Sequence, residues 1–402
     1  MSETKRSKED RVLAWAVLIL VLVGLVVIYD ASFPKSGFWQ MVKQFIWAVV
    51  GLMAYMIGRH LSLTTLYRGA PWLAAIVLAL MLATRYSPFG EERGGAFRWL
   101  RLGEIGPIEI TVQPAELGKI VMIVLLARLL CHSNLIATCK PVQQRRFPWL
   151  ALLGILMAAG VVVGVQEDLG TALVFVGVGI GMLFTAGVPF RHIVILTVLL
   201  AIAGGVFIVH KDYRRQRVVA FTQPFAYMDT TGYQLAHSLM GIGTGGIWGT
   251  GLGLGRAKEF LPAAETDFVF ATIAEETGVF GGTAVIVLLF IVSWRVFLIA
   301  SRTQTMFLLL LASGIGVMIA LQSLLNLYVV TGSVPTTGVP LPFISYGGSS
   351  LISLLFSIGL VQKIANNPMM ERVKEASHAR VAGGRWNRRT SVSRREYRRG
   401  VA

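Results

Sequence analysis

Residues 147–188 read FPWLALLGILMAAGVVVGVQEDLGTALVFVGVGIGMLFTAGV. Two apolar runs, 147–165 and 169–188, are separated only by Gln166-Glu167-Asp168. Each run is close to the ~20 residues that a helix needs to cross the apolar core of a bilayer. Lipid offers backbone N–H and C=O groups no partner, so each run must be helical. Three polar residues between them leave room for a tight turn and nothing more. The stretch therefore reads as a membrane hairpin with two carboxylates at its tip.

The same reading extends in both directions. Further apolar runs lie at 12–29, 38–58, 70–84, 114–130, 193–209, 268–292, 306–330 and 345–364. With the hairpin they predict an all-α polytopic membrane protein of about ten transmembrane helices, with a large extracytoplasmic loop between spans seven and eight. Composition agrees: 54% of the 402 residues are hydrophobic and 14% charged, whereas soluble domains carry about a quarter charged. A water-soluble enzyme is excluded, as is disorder over most of the chain. The run at 12–29 is followed by no small-residue cleavage site, so it reads as a retained span rather than a removed signal peptide. Cys131 and Cys139 form neither a disulfide framework nor a zinc spacing, and read as reduced thiols on the cytosolic side.

Charge distribution orients the spans. With the N-terminus inside, the inner segments hold 23 of the 37 Lys and Arg residues and the outer segments 11. That excess predicts that both termini are cytosolic. Of 21 acidic residues, 15 fall outside or in the outer part of a span. Topology does not require that bias, so it points either to polar chemistry on the outer face or to the solubility needs of loops. The predicted organisation is a cytosolic segment 1–11, a membrane domain 12–366 with outer loops 85–113 and 210–267, and a basic, disordered cytosolic tail 367–402. Such a tail suits anionic lipid headgroups or a cytosolic partner; nothing supports nucleic acid as a ligand.

Several polar constellations interrupt the apolar pattern. Loop 210–267 carries Lys211, Arg214, Arg215 and Arg217, and eight glycines between Gly241 and Gly255. The glycines match no phosphate-binding motif and read as sites of close packing or irregular backbone. Glu265-Thr-Asp267 opens the eighth span, where Asp267 suits either chemistry or a helix N-terminus. Glu275 and Glu276 follow, roughly 12–14 Å deeper along a straight helix, where ionisable groups usually face a cavity or a partner. Gln113-Pro-Ala-Glu116-Leu-Gly-Lys119 opens the fourth span; Glu116 and Lys119 either pair at i, i+3 or offer a cation to a lipid headgroup. Carboxylates and cations thus converge on the outer edge of a helical bundle. A polyprenyl pyrophosphate suits that pattern: cations would hold the pyrophosphate and a carboxylate would take a proton from an attacking sugar hydroxyl.

Six segments carry a resemblance. They are Gly95-Ala-Phe-Arg98-Trp99-Leu, Gln113-Pro-Ala-Glu116-Leu-Gly-Lys119, Asp168-Leu-Gly-Thr-Ala, Gly249-Thr-Gly-Leu-Gly-Leu-Gly255-Arg-Ala-Lys258, Glu265-Thr-Asp267-Phe-Val-Phe-Ala and Pro335-Thr-Thr-Gly-Val-Pro-Leu-Pro-Phe-Ile-Ser345-Tyr-Gly-Gly-Ser-Ser. In sequence and order, these segments resemble the SEDS family (FtsW, RodA and SpoVE), and the 335–350 stretch is most similar to the FtsW branch. The resemblance implies a peptidoglycan glycosyltransferase that polymerises lipid II, and undecaprenyl-pyrophosphate-linked glycan, on the outer face of a bacterial cytoplasmic membrane. It implies a class B penicillin-binding protein as transpeptidase partner, other divisome membrane proteins, and work at the division septum. Asp267 matches the family's catalytic aspartate. Arg98, Trp99, Gln113, Glu116, Lys119, Asp168, Arg214, Arg217, Lys258, Glu276 and Ser345 are the expected substrate-binding set. No dedicated metal site is visible; a divalent cation such as Mg is the one cofactor considered. Two departures stand out: Glu167 replaces a usual proline, and Glu265 replaces a usual histidine. The second places an anion beside Asp267, which either raises the Asp267 pKa by like-charge coupling or leaves open which of the two carboxylates is the base. A lipid II flippase, a RodA-type elongation role and a non-catalytic scaffold are the alternatives.

Overall fold

The computed structural model describes residues 10–93, 95–105, 108–131, 149–209, 212–262 and 264–366. The expected tail 367–402, most of the 1–11 segment and Cys139 lie outside them. Ten helices match the ten apolar runs: α1 Arg11–Ser36, α2 Trp39–His60, α3 Leu63–Tyr86, α4 Pro114–Leu130, α5 Trp149–Gly164, α6 Leu169–Thr185, α7 Phe190–Val209, α11 Val269–Ser301, α12 Met306–Val330 and α13 Gly348–Ala365. Six of them, α1, α2, α3, α11, α12 and α13, are long and apolar enough to cross a membrane, and α5, α6 and α7 are shorter apolar helices. The protein is a polytopic helical membrane protein.

Successive helices run in alternate directions, so the bundle has two distinct ends. We call the end where α1 begins proximal and the opposite end distal. Three antiparallel strands, β1 Gly90–Arg93, β2 Ala96–Ile105 and β3 Ile108–Val112, and three helices, α8 Asp212–Thr222, α9 Tyr233–Gly245 and α10 Ala257–Phe260, lie in the distal connections. The sheet is an addition to the expected helical architecture. Its signal is visible in retrospect: Ala96, Arg98 and Leu100 alternate along β2, and Ala96 and Leu100 are buried.

The last span closes on the second. A Cβ on Gly359 would meet the backbone of Tyr55, and one on Gly58 the carbonyl of Phe356, so α13 and α2 approach at backbone distance, as small residues allow. At the proximal end, the Asp10 side chain accepts from Leu13 N and caps α1. The same carboxylate takes Arg295 Nε at 3.0 Å and Nη2 at 2.5 Å. Gln362 exchanges two bonds of 3.0 Å with the Asp10 backbone. One residue thus joins the proximal ends of α1, α11 and α13.

Helix α11 gives Glu275 and Glu276 the partners expected of ionisable groups at that position, and breaks just beyond them. Its 33 residues would extend about 50 Å if straight, well beyond the ~30 Å apolar core. The helix breaks at Gly278, where φ is +65° and ψ −161°, a region open to glycine alone. Before the break, every residue of Val269–Glu276 is buried in protein; beyond it Val279 and Phe280 are exposed. The lipid-facing part therefore begins after Glu276. The freed backbone at the break is taken up by the α9–α10 connection: Thr250 N donates to Glu275 O at 2.9 Å, Gly251 N to Glu276 O at 3.0 Å, and Val279 N to Gly246 O at 3.1 Å.

Candidate active site

Asp267 lies in the turn that leads into α11, partly buried at the distal end. Three consecutive carbonyls in this turn are held from outside it. Glu265 O accepts from Tyr346 N at 2.8 Å. Thr266 O accepts from Ser345 Oγ at 2.7 Å, and Asp267 O accepts from Asn326 Nδ2 at 2.7 Å. Asn326, on α12, also donates to Val339 O at 2.8 Å, and Ser345 Oγ accepts from Leu341 N at 2.8 Å. The 335–346 connection is thereby laid against the Asp267 turn.

Around the carboxylate, charges of both signs meet. Asp168 caps α6, accepting from Thr171 N at 3.0 Å and Thr171 Oγ1 at 2.8 Å. Arg98 on β2 places Nε 3.5 Å from Asp168 Oδ2 and donates from Nη2 to Glu167 O at 3.4 Å. Gly338 sits between the two sides: a Cβ there would lie 3.4 Å from Asp267 Oδ2 and 3.8 Å from Arg98 Nη1. Burial and, next, the charge of Asp168 push the Asp267 carboxyl up to about 6, against the pull of Arg98 and Arg217. The expected cause, Glu265, is not among these charges: the rise comes from burial and from Asp168 across the site, while Glu265 O serves as a backbone anchor.

The other expected residues fall into separate groups. Glu116 and Lys119 pair at 2.7 Å in the first turns of α4, both buried. Gln113 N donates to Ser349 Oγ at 3.1 Å, which ties the start of α4 to the start of α13. Lys258 is buried between Asp30 Oδ1 at 2.6 Å and Glu276 Oε1 at 2.9 Å. Glu276 also receives Gly253 N and Gly255 N, and Glu275 receives Arg256 N and Ala257 N at 2.9 Å. These two acids hold the α9–α10 connection, so neither Glu276 nor Lys258 presents an uncommitted charge. Trp99 lies half-buried on β2 opposite Glu91. Arg217 lies on α8, and so does Arg214, whose side chain is outside the described residues.

Among the described residues no three His, Cys, Asp or Glu side chains gather as metal ligands, and both oxygens of Asp168 already have partners. No step is assigned to a divalent cation.

Residues 11–369 match the FtsW/RodA/SpoVE family of cell cycle proteins. The chain belongs to this family. Similar members include stage V sporulation protein E of Bacillus subtilis, 33% identical over 90% of this chain and 98% of that protein. Another is the probable peptidoglycan glycosyltransferase FtsW of Thiomicrospira cyclica, 38% identical over 88% of this chain and 91% of its own. Among solved structures, a chain from a peptidoglycan synthase complex that coordinates polymerization and crosslinking superposes with a TM-score of 0.74 at 28% identity, over 89% of this chain and 98% of that one. The rod shape determining protein RodA of Thermus thermophilus superposes at 0.65 and 28% identity, over 89% and 97%.

Within this FtsW/RodA/SpoVE chain, sequence reasoning missed two residues that shape the site. Asn326 interrupts the apolar run 306–330, and a polar side chain at such a position was itself a signal. Asp30, near the end of the first run, is the second partner of Lys258.

Proposed function

We propose that this protein is a peptidoglycan glycosyltransferase of the FtsW type. It polymerises lipid II into β-1,4 glycan strands at the outer face of a bacterial cytoplasmic membrane, in cell division. In this reading the distal end is extracytoplasmic and both termini are cytosolic, in keeping with the excess of Lys and Arg on the proximal side. A class B penicillin-binding protein is its transpeptidase partner, and other divisome membrane proteins place it at the septum; the polymerization and crosslinking named for the similar synthase complex support this pairing.

The observation that carries the reading is the Asp267 carboxylate facing Arg98 across Gly338 at one end of the bundle, where burial pushes its pKa up to about 6. Asp267 takes the proton of the acceptor 4-hydroxyl as that oxygen bonds to the donor's anomeric carbon. The bond from that carbon to the pyrophosphate oxygen breaks with inversion, and undecaprenyl pyrophosphate leaves with the electron pair. A base with a pKa near the working pH suits the first task. Arg98 and Arg217 stabilise the charge of the leaving group, as cations aimed at developing charge do. Lys119 and Lys258, each already paired with carboxylate, contribute less than their sequence positions predict.

A translocation path would need ionisable groups at several depths. The six buried Asp, Glu and Lys residues among the described residues, Glu116, Lys119, Asp168, Lys258, Glu275 and Glu276, all lie at the distal end, which favours one-sided chemistry over a flippase. Full-length protein in detergent, alone and with its transpeptidase partner, should convert lipid II to glycan polymer without any gradient. Asp267→Asn should reduce that conversion by about 10²–10⁴-fold, the usual contribution of general-base catalysis. Transport without polymer, or full turnover by Asp267→Asn, would refute the assignment.

A further inference from the structure

We propose that Ser345 and Asn326 are positioning residues that aim the Asp267 carboxylate at the acceptor hydroxyl by fixing the two peptide planes on either side of its Cα. The proposal rests on Asp267 acting as the base.

A residue's backbone has two soft torsions, one for each flanking peptide plane. The plane before Asp267 carries the Thr266 carbonyl, and Ser345 Oγ holds it at 2.7 Å. The plane after it carries the Asp267 carbonyl, and Asn326 Nδ2 holds that at 2.7 Å. Two hydrogen bonds thus set two torsions, and with them the direction of the Asp267 Cα–Cβ bond. The Glu265 carbonyl, one residue earlier, is held by Tyr346 N, so the turn cannot pivot from its upstream side.

Both donors are themselves held rigidly. Ser345 is 6% exposed and Asn326 1% exposed. Ser345 Oγ is fixed by Leu341 N at 2.8 Å, and its own carbonyl accepts from Gln44 Nε2 at 3.4 Å. Asn326 spends its second amide hydrogen on Val339 O, one residue from Gly338, which abuts the Asp267 carboxylate. Neither Ser345 Oγ nor Asn326 Nδ2 retains a hydrogen for a sugar or a phosphate. Ser345, expected to bind substrate, has its one hydrogen committed to the Asp267 turn. Misplacement of a reacting group by about 1 Å can cost on the order of 10²-fold in rate, so loosening either plane acts on turnover rather than on binding.

The test is steady-state polymerisation of lipid II by full-length protein, per mole of folded protein, across pH. Ser345→Ala and Asn326→Ala should each lower kcat by about 10–100-fold with little change in KM. Ser345→Thr, which keeps the hydroxyl, should restore most of the loss. The acid limb of kcat/KM should also move down in the two alanine variants, because a carboxylate no longer held in place relaxes toward solvent. The charged groups that face it are Asp168 from α6, Arg98 from β2 and Arg217 from α8; the substitutions alter none of them. Should Ser345→Ala fail to fold, Ser345→Cys, a weaker donor of similar size, takes its place with the same expected direction. A raised KM at constant kcat would make Ser345 a substrate contact and overturn the proposal. So would a lower melting temperature with kcat and the acid limb unchanged, since that is a purely structural role. Asp267→Asn separates the two claims: if it retains turnover, the base assignment falls first; if it is inactive while the alanine variants match wild type, only the positioning claim falls.

Discussion

Asp168 touches three groups at once: the first turn of α6, the guanidinium of Arg98 and, through its charge, the Asp267 carboxyl. Asp168→Asn keeps a side chain that caps helices well but removes the like charge and releases Arg98 to face Asp267 alone. Both changes favour the ionised form of Asp267. The acid limb of polymerisation, expected near pH 6 with activity lost below it as the base becomes protonated, should therefore move to lower pH in this variant. A pH–rate profile of kcat/KM reports it, and an upward shift would contradict the arrangement. The buried pair Glu116–Lys119 invites a different measurement. Lys119→Met leaves a buried carboxylate without its partner, a loss of about 3–5 kcal/mol in typical cases. Glu116→Gln combined with Lys119→Met should recover most of that stability in thermal melts. Recovered stability without recovered turnover would show that Lys119 also serves the substrate.

At the scale of elements, the broken helix α11 is the feature most open to test. Gly278 occupies a conformation costing a side-chain-bearing residue about 1–3 kcal/mol, and a Cβ there would run into Ile247 O. Gly278→Ala should lower the melting temperature clearly. Gly205→Ala on α7, where a Cβ meets open space, should leave it unchanged or raise it slightly, since alanine favours a helix by about 0.5–1 kcal/mol over glycine. Equal melts for the two would argue against a rigid break. The break also shows where sequence reasoning stopped. The spans were legible because apolar length is a local property, and the 166–168 hairpin followed from three residues. The break itself was not legible because nothing local marks Gly278 as a bend, and its bonding partners lie about 30 residues upstream. Among site residues, Asp267, Arg98 and Asp168 were both expected and brought together. Asn326 was missed because its partner is 59 positions away. The bond from Ser345 to Thr266 O was not legible because a hydroxyl in a motif does not disclose which carbonyl it meets.

Across the whole molecule, the two ends differ in kind. The distal end gathers the buried Asp, Glu and Lys residues and a small sheet, whereas the proximal end is fastened by one carboxylate. The proposed orientation predicts that Thr230→Cys, in a background without Cys131 and Cys139, reacts with an impermeant thiol reagent in intact cells. Arg385→Cys, in the basic tail, should not react until the membrane is permeabilised. Labelling of position 385 in intact cells would reverse the orientation and with it the assignment of the site to the outer face.

The proximal fastening has a further consequence in time. Asp10 and Gln362 are 352 residues apart in the chain, and at a synthesis rate of about 5–20 residues per second roughly 20–70 s separate their emergence from the ribosome. Throughout that interval the Gln362 half of the Asp10 latch is missing, even after Arg295 of α11 has been made, and α2 lacks the helix that will cover its glycine face. The second span of the nascent chain must therefore wait in lipid for the last one, and a chain halted before α13 is a bundle only half locked at the end where synthesis began.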